Sequence, residues 1–417
     1  MTAYFDDLET RDPQQREAEL FAALPEFLAK AMGKAEGLRS WLGDIDPMKI
    51  NNREALATLP VLRKPELMEL QAANPPFGGL ADPDALTGNH VFMSPGPVWE
   101  PQGFGADPWQ SARGLFAAGI RSGDIIHNTF SYHMTPGAFV LDEGARALGC
   151  LVFPAGVGNT EAQIEAASSL KPSAYTGTPD YLKVLLDKAE EAGCDISSIK
   201  RAMVSGGALF PSLREEYRER GIKVMQSYAT ADVGIIAYES ADKDGNPHPG
   251  MILNENMIVE IVRPGTGDPV TDGEVGEIVV TSLNPAYPLI RFGTGDMTAV
   301  MDGRSPCGRT GIRIKGWMGR ADQRTKVKGM FVDPKQIAAL VQRHGDVARA
   351  RLVVARNGDQ DAMTLHVEPS AGATPDAQAL AATLADITKL KGDVVVAEQG
   401  SLPNDGKVIA DERNYDA

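Results

Sequence analysis

The chain has 417 residues and a formal net charge of −15 at pH 7, with 43% hydrophobic and 23% charged residues. This length provides for two or three domains with large cores, and the acidic balance disfavours a nucleic-acid or anionic-membrane surface, which would repel it. The three cysteines form no CxxC pair, which argues against a disulfide framework. No apolar run approaches the roughly 18 residues of a membrane span. These features predict a cytoplasmic protein that binds neither nucleic acid nor membrane.

The first half of the chain predicts a parallel sheet. Asp12-Pro13 should begin a helix, because aspartate caps helices and proline fits their first turn. Strand and helix patterns then alternate over residues 107–227, which is typical of a parallel sheet with helices on both faces. Ligands of such sheets bind beyond the carboxyl ends of the strands. The loops of interest therefore follow Phe130, Phe153, Thr176, Ser205 and Ser227.

The pattern changes after residue 256. Two alternating segments, 257–262 and 277–282, predict antiparallel strands that close the large domain. A smaller α+β unit should follow. The predicted fold class is thus α/β. It combines a large N-terminal domain (1–320) of mixed sheets flanked by helices, with its closing antiparallel part, and a small mobile α+β C-terminal domain (321–417).

Two motifs between Tyr287 and Gly329 carry the functional signal. In Arg291-Phe-Gly-Thr-Gly-Asp296 an acid follows two glycines, and a short carboxylate can accept hydrogen bonds from two neighbouring sugar hydroxyls. In Gly319-Arg-Ala-Asp322 a glycine-bounded polar segment suits a hinge. Either motif alone is also compatible with a β-hairpin and a solvated loop. Their order and spacing favour the ligand-binding interpretation.

This pair of motifs resembles the phenylacetate-CoA ligase family of adenylate-forming enzymes. The preceding PLIR at 288–291 and the PCGR at 306–309 strengthen the resemblance. It implies an ATP-dependent acid–CoA ligase that adenylates a small aromatic carboxylate, releases pyrophosphate and transfers the acyl group to CoA. It also implies AMP as a product, Mg²⁺ as a cofactor and a homodimer.

The resemblance assigns nucleotide binding to residues in four segments. The segment at 204–211 matches the stretch that lies along adenine, and YATADVG at 228–234 resembles the family segment that ends in a magnesium-binding acid, here Asp232. Asp296 matches the ribose clamp. The implied nucleotide-binding residues are Ser205, Gly206, Gly207, Tyr228, Ala229, Thr230, Arg291, Asp296 and Arg320.

The resemblance also assigns catalytic and hinge residues. Lys407, in LPNDGKV, matches a lysine that stabilises charge at the reacting carboxylate and α-phosphate. Arg320 matches the family's arginine that contacts ribose or phosphate, and Asp322 matches the hinge acid. The alternatives are a tail lysine on a glycine turn and a surface arginine.

The acyl pocket should lie near the loop at 130–137. Tyr132, His133 and Met134 could line it, with Tyr175 and Gly177 opposite. The alternative is that these are core residues at strand ends.

The phosphate loop is the main departure from the family. The family pattern is roughly SSGTTGKP, and the matching MSPGPVWEP at 93–101 lacks both threonines. Trp99 replaces the glycine and Glu100 replaces the lysine. A carboxylate near a triphosphate is repulsive, by about 1 kcal/mol at 4 Å even in water.

This departure leaves two functions open. Arg291, Arg320 and backbone groups could compensate for the altered loop. Alternatively, the chain is an adenylate-fold protein that binds AMP or acyl-CoA without efficient adenylation, as a sensor or carrier.

Overall fold

The computed structural model describes residues 3–86, 88–263, 266–321, 325–328, 330–357, 360–403 and 408–413. The chain divides into two compact units, Met1–Met318 and Gly319–Ala417. Among the described helices, none combines the length and apolar character needed to cross a bilayer.

The helices of the described segments are α1 (Pro13–Lys34), α2 (Glu36–Leu42), α3 (Arg53–Ala57), α4 (Lys64–Ala73), α5 (Ser111–Ala117), α6 (Gly137–Ala147), α7 (Thr160–Leu170), α8 (Pro179–Ala192), α9 (Pro211–Glu219), α10 (Pro334–Arg343) and α11 (Ala377–Thr388). The strands are β1 (Leu62–Arg63), β2 (Val91–Ser94), β3 (Val98–Pro101), β4 (Ile125–Asn128), β5 (Leu151–Pro154), β6 (Ala174–Gly177), β7 (Arg201–Val204), β8 (Lys223–Thr230), β9 (Gly234–Tyr238), β10 (Met251–Leu253), β11 (Met257–Val262), β12 (Gly276–Ser282), β13 (Phe292–Thr298), β14 (Val300–Met301), β15 (Arg313–Ile314), β16 (Thr325–Val327), β17 (Met330–Val332), β18 (Val347–Asn357), β19 (Gln360–Pro369), β20 (Asp393–Val396) and β21 (Ile409–Asp411).

The largest sheet has nine strands and two halves. Strands β5, β4, β6, β7 and β8 lie side by side and run parallel. Strands β9, β10, β15 and β14 extend the sheet with antiparallel pairing. The parallel sheet predicted for residues 107–227 is confirmed, and the fold class with it.

Helices cover both faces of the parallel half. Ala202 and Val204 of β7 pack into the layer formed by α7, α8 and α9, whereas Met203 packs into the layer that contains α5 and α6. Successive side chains of a strand point to opposite faces, so a sheet that is buried on both sides needs a continuous apolar strand. The sequence AMV at 202–204 meets this requirement.

A second, four-stranded sheet has the order β1-β13-β12-β11. The N-terminal helices pack against it, with Leu24 and Leu28 of α1 in the same core as Ile258 and Phe292. Helix α1 begins as predicted, because the Asp12 side chain accepts hydrogen bonds from the backbone N–H groups of the first turn.

The second unit is a small α+β layer. Its four strands have the order β20-β19-β18-β21, and α10 and α11 bury Leu340 and Leu384 against Leu352 and Leu365. The hairpin β16–β17 is also part of this unit.

Candidate active site

The loop after β7 provides exposed backbone at the carboxyl end of the sheet. Gly206 and Gly207 are both exposed, and Gly206 has a φ of +71°, a conformation that favours glycine. The preceding Ser205 is buried and its Oγ donates a hydrogen bond to the Ser227 carbonyl oxygen (2.9 Å). The structure therefore connects this loop to the neighbouring strand β8.

Asp296 is held in place by two side-chain donors. The Tyr228 hydroxyl donates to Oδ2 and the Trp317 indole N–H donates to Oδ1, each over 2.9 Å. Asp296 is 8% exposed. Two fixed donors orient the carboxylate, which is the condition for a preorganised acceptor of sugar hydroxyls. The structure thus brings together two residues that the sequence assigned to the nucleotide, Tyr228 and Asp296, and adds Trp317.

Ala229 and Thr230 continue β8 beyond Tyr228 and are half-buried. The Thr230 Oγ1 accepts a hydrogen bond from the Val233 backbone N–H (3.2 Å), which stabilises the turn into β9. The turn contains Asp232.

The segment that resembles a phosphate loop is a β-hairpin. Strands β2 and β3 pair in register from Val91 opposite Pro101 to Ser94 opposite Val98. Glu100 points inward and is 3% exposed, and its Oε1 accepts a hydrogen bond from the Ser94 hydroxyl (2.7 Å). The acid that replaces the family's lysine is therefore built into the protein interior.

Asp232 lies beside Glu100. Its side chain is fully buried and forms an ion pair with Lys64, whose Nζ is 3.1 Å from Oδ2. Burial raises the pKa of Glu100 to about 8, and the Asp232 carboxylate adds to this rise, while the Ser94 hydrogen bond and Lys64 lower it. Within the described residues, both carboxylate oxygens of Asp232 and Oε2 of Glu100 are buried without a hydrogen-bond donor.

These two carboxyl groups fit a magnesium ion by their chemistry. Mg²⁺ commonly binds one or two carboxylates together with substrate phosphates and water. The predicted ligand Asp232 thus has a second carboxyl group beside it, that of Glu100. No group of three or more such residues occurs in the part of the chain that the structure describes.

The prediction that Arg291 binds nucleotide needs correction. Its side chain is completely buried and forms an ion pair with Glu260, Nε donating to Oε2 and an NH2 group to Oε1, each at 3.0 Å. The remaining N–H groups donate to the carbonyl oxygens of Ala57, Leu59 and Gly267. All five donors of the guanidinium group are used, so Arg291 joins the N-terminal segment to the four-stranded sheet.

The predicted acyl-pocket residues fall into two groups. Tyr132 is half-buried, and its hydroxyl donates to Asp142 Oδ2 (2.7 Å). His133 and Met134 are exposed, and the Met134 carbonyl oxygen accepts a hydrogen bond from the Met93 N–H (2.8 Å). The loop at 130–137 therefore touches the β2–β3 hairpin.

Tyr175 and Gly177, which the sequence placed opposite them, lie in the core. Tyr175 is 0% exposed, and its hydroxyl donates to the Thr178 carbonyl oxygen and accepts from Thr129 Oγ1. A Cβ atom on Gly177 would overlap both Thr129 Oγ1 and the Tyr175 hydroxyl. The alternative interpretation as core residues is therefore correct for this pair.

Gly177→Ala should destabilise the protein because the added methyl group would overlap the hydroxyl groups of Thr129 and Tyr175. The expected loss is about 1–3 kcal/mol of the free energy of unfolding, the usual range for overpacking. Urea titration measures it. Gly33→Ala is the matched control: Gly33 is an exposed α1 residue, and a Cβ added there would have no atom within 4 Å, so stability should rise by up to about 1 kcal/mol. Equal effects of the two variants would contradict the packing role of Gly177.

The remaining predicted residues belong to the second unit. Arg320 is half-buried near its start. Asp322 and Lys407 lie outside the described residues.

Comparison with known proteins identifies the family. Residues 110–286, which include the Ser205, Tyr228 and Asp232 segments, match the AMP-binding enzyme family model. The chain is 29% identical over 340 residues to the phenylacetate-coenzyme A ligase of Thermus thermophilus, an alignment that covers 78% of this chain and 75% of that protein. It is 30% identical over 338 residues to the phenylacetate-coenzyme A ligase of Aromatoleum evansii, covering 78% and 74%. The chain belongs to the phenylacetate-CoA ligase family. These matches confirm the resemblance drawn from the motifs. They also show that the chain belongs to a family of acid–CoA ligases.

A solved structure supports the fold over almost the whole chain. The crystal structure of 2-hydroxyisobutyryl-CoA ligase in complex with 2-HIB-AMP and CoA superposes with a TM-score of 0.75 and 24% sequence identity, covering 99% of this chain and 93% of that one. At this identity the likeness concerns the fold, so the roles of individual phenylacetate-CoA ligase family residues stay predictions in this chain.

Proposed function

We propose that this protein is an ATP-dependent acid–CoA ligase that adenylates a small aromatic carboxylate and transfers the acyl group to CoA. The observation that carries the proposal is the hydrogen-bonded Tyr228–Asp296 pair. Ser227, the residue before Tyr228, accepts a hydrogen bond from Ser205, which immediately precedes the exposed glycines at 206 and 207. The pair lies beyond the carboxyl ends of parallel strands, where ligands of such sheets bind. Family membership supports the reaction class.

In the first half-reaction a carboxylate oxygen attacks the α-phosphorus of ATP. The bond from phosphorus to the bridging oxygen breaks, and acyl-adenylate and pyrophosphate result. Asp296 accepts hydrogen bonds from the ribose hydroxyls, while backbone at Gly206 and Gly207 approaches the base. Lys407 and Arg320 stabilise the negative charge that develops on the transferring oxygens.

In the second half-reaction the sulfur of CoA attacks the acyl carbonyl carbon. The carbon–oxygen bond to AMP breaks, the thiol proton is released, and thioester and AMP leave. Asp322 serves as the hinge between the proposed domains, residues 1–320 and 321–417, so that different groups act in the two steps.

Magnesium would be held by Asp232, with Glu100 as the neighbouring oxygen ligand. When bound, the ion neutralises phosphate charge. Asp232 and Glu100 place two carboxyl groups next to each other in the protein interior.

The acyl group is assigned to the loop at 130–137. Tyr132 and the exposed pair His133 and Met134 provide an aromatic and apolar surface. The name phenylacetate-coenzyme A ligase of both relatives supports an aromatic acid.

Product analysis tests the proposal. Protein incubated with ATP, Mg²⁺, CoA and a panel of aryl and alkyl acids should yield acyl-CoA, AMP and pyrophosphate in equal amounts, best with an aryl acid. Thioester formed with ADP and phosphate instead would contradict the adenylate mechanism. Turnover restricted to alkyl acids would contradict the aromatic substrate.

Lys407→Ala should slow the first half-reaction selectively. The expected loss is about a hundredfold in acyl-adenylate formation, the scale for removing one donor to transition-state charge. Thioester formation from supplied acyl-adenylate should persist. Single-turnover assays of each half separate the two steps, and an equal loss in both would refute the assigned role.

A second function is favoured by one observation. The buried Glu100 fills the position of the family's phosphate-binding lysine, which favours an adenylate-binding protein without efficient adenylation. Such a protein would bind AMP or acyl-CoA and yield no products in the incubation above.

The homodimer and the cytoplasmic location complete the proposal. Light scattering on the purified protein tests the first, since a dimer should have twice the mass of 44.6 kDa. A monomer at micromolar concentration would contradict it.

A further inference from the structure

The proposed use of ATP raises the question of which cation faces the β- and γ-phosphates. The β2–β3 hairpin, residues 91–101, contains neither lysine nor arginine. Arg291, which the sequence suggested as compensation, uses all five of its donors inside the protein. Neither the hairpin nor Arg291 thus provides a cation for these phosphates.

Lys64 is a cation beside this hairpin. It is the first residue of α4, and α4 is fixed to β3 by a pair of amide hydrogen bonds: Gln71 Nε2 donates to the Trp99 carbonyl oxygen (2.7 Å), and the Trp99 N–H donates to Gln71 Oε1 (2.9 Å). The Lys64 ammonium nitrogen lies 3.1 Å from Oδ2 of Asp232, the carboxylate that neighbours the inward-facing Glu100.

The exposure of the Lys64–Asp232 pair is asymmetric. The lysine side chain is 32% exposed, whereas the aspartate side chain is 0% exposed. Lysine is a point charge on a flexible stem, so its ammonium group can change partner while its backbone stays in place. Lys64 is thus partly accessible to solvent, while its partner Asp232 is buried.

We propose that Lys64 is the polyphosphate-binding cation of this protein, in place of the lysine that the hairpin lacks. The inference rests on the proposed use of ATP. Asp232 holds Lys64 until the nucleotide arrives, and Lys64 then donates to β- or γ-phosphate oxygens. It acts on ATP and pyrophosphate but has no partner on AMP, so it determines the preference between the two nucleotides.

The competing role for Lys64 is a counter-ion for Asp232 and nothing more. Removing one partner of a buried ion pair leaves an uncompensated charge and destabilises the fold. A fold defect would weaken binding of both nucleotides, whereas loss of a phosphate contact weakens binding of ATP alone. The ratio of the two dissociation constants therefore separates the roles.

The test is calorimetric titration of the full chain with ATP and with AMP at fixed Mg²⁺. Lys64→Met should weaken ATP binding by about tenfold or more, the scale of one hydrogen bond to a charged group, and AMP binding by less than about twofold. Lys64→Arg should retain most of the ATP affinity. Lys30→Met is the matched control, since Lys30 is an exposed α1 residue, and it should bind both nucleotides normally.

A double variant keeps the test decisive if Lys64→Met does not fold. Lys64→Met with Asp232→Asn removes both charges of the pair, and it is titrated without Mg²⁺ beside Asp232→Asn alone, so that the proposed magnesium role of Asp232 does not enter. The double variant should bind AMP as Asp232→Asn does but bind ATP about tenfold more weakly than Asp232→Asn. Equal loss of the two nucleotides, or an unchanged ratio, would overturn the assignment of Lys64. If the unaltered protein binds neither nucleotide, the proposed function itself fails, an outcome that is visible before any variant is made.

Discussion

Arg291→Met is expected to lower the free energy of unfolding by about 3–5 kcal/mol, the cost of removing one partner of a buried ion pair. The substitution leaves the Glu260 carboxylate 4% exposed and uncompensated, and it removes donors from three backbone carbonyl groups. Guanidinium or urea unfolding monitored by circular dichroism measures the loss.

Two further variants sharpen this result. Arg291→Met combined with Glu260→Gln removes the unpaired charge and should recover part of the stability. Arg218→Met breaks an exposed ion pair with Glu215 and should cost less than about 1 kcal/mol. Unchanged stability of Arg291→Met together with lost ATP binding would restore the nucleotide-binding role that the structure contradicts.

Asp296→Ala is expected to weaken AMP and ATP equally, in contrast to Lys64→Met. Two charge-assisted hydrogen bonds to the ribose hydroxyls are worth about 3–6 kcal/mol, or 10²–10⁴-fold in affinity. Calorimetric titration with both nucleotides measures this. Asp302→Ala, an exposed aspartate between β14 and β15, is the control and should bind normally.

A ligand that lacks the hydroxyls distinguishes recognition from a local fold defect. The unaltered protein should bind 2′,3′-dideoxy-ATP about as weakly as Asp296→Ala binds ATP, and the variant should no longer distinguish the two ligands. Undiminished binding of 2′,3′-dideoxy-ATP by the unaltered protein would show that Asp296 only holds Tyr228 and Trp317 in place.

Much of the fold follows from local sequence pattern. The strand Met257–Val262 was predicted with its observed bounds, because a short apolar run followed by a turn segment is a local signal. The alternation expected for it is absent, since all six residues are buried. The alternation of strands and helices over residues 107–227 was predicted as well, and it is observed from α5 to β8. The antiparallel extension of that sheet by β14 and β15 depends on long-range pairing and has no local signal.

The site was less predictable where charges pair across long sequence separations. Arg291 pairs with Glu260, 31 positions away, and a lone acid inside the apolar strand MIVEIV was the available signal, since a buried carboxylate needs a cation. Lys64 and Asp232 lie on separate segments that only the tertiary fold brings together.

The β2–β3 hairpin was missed because the resemblance to a phosphate loop outweighed its own pattern. In VFMS and VWEP, the side chains of Phe92, Ser94, Val98 and Glu100 point inward from paired strands. The two segments do alternate between inward and outward side chains. A glutamate at an inward position, Glu100, is not the apolar residue that such a pattern predicts. Its partners, Ser94 and Asp232, explain how the interior accommodates it.

The central claim is that the protein adenylates a carboxylate despite this altered segment, and carboxylate-dependent exchange of labelled pyrophosphate into ATP tests it most directly. The assay isolates the first half-reaction because it needs no CoA. We predict exchange that requires Mg²⁺ and an aryl acid. No exchange with any acid of a broad aryl and alkyl panel, while AMP still binds, would contradict the account and establish an adenylate-binding protein instead.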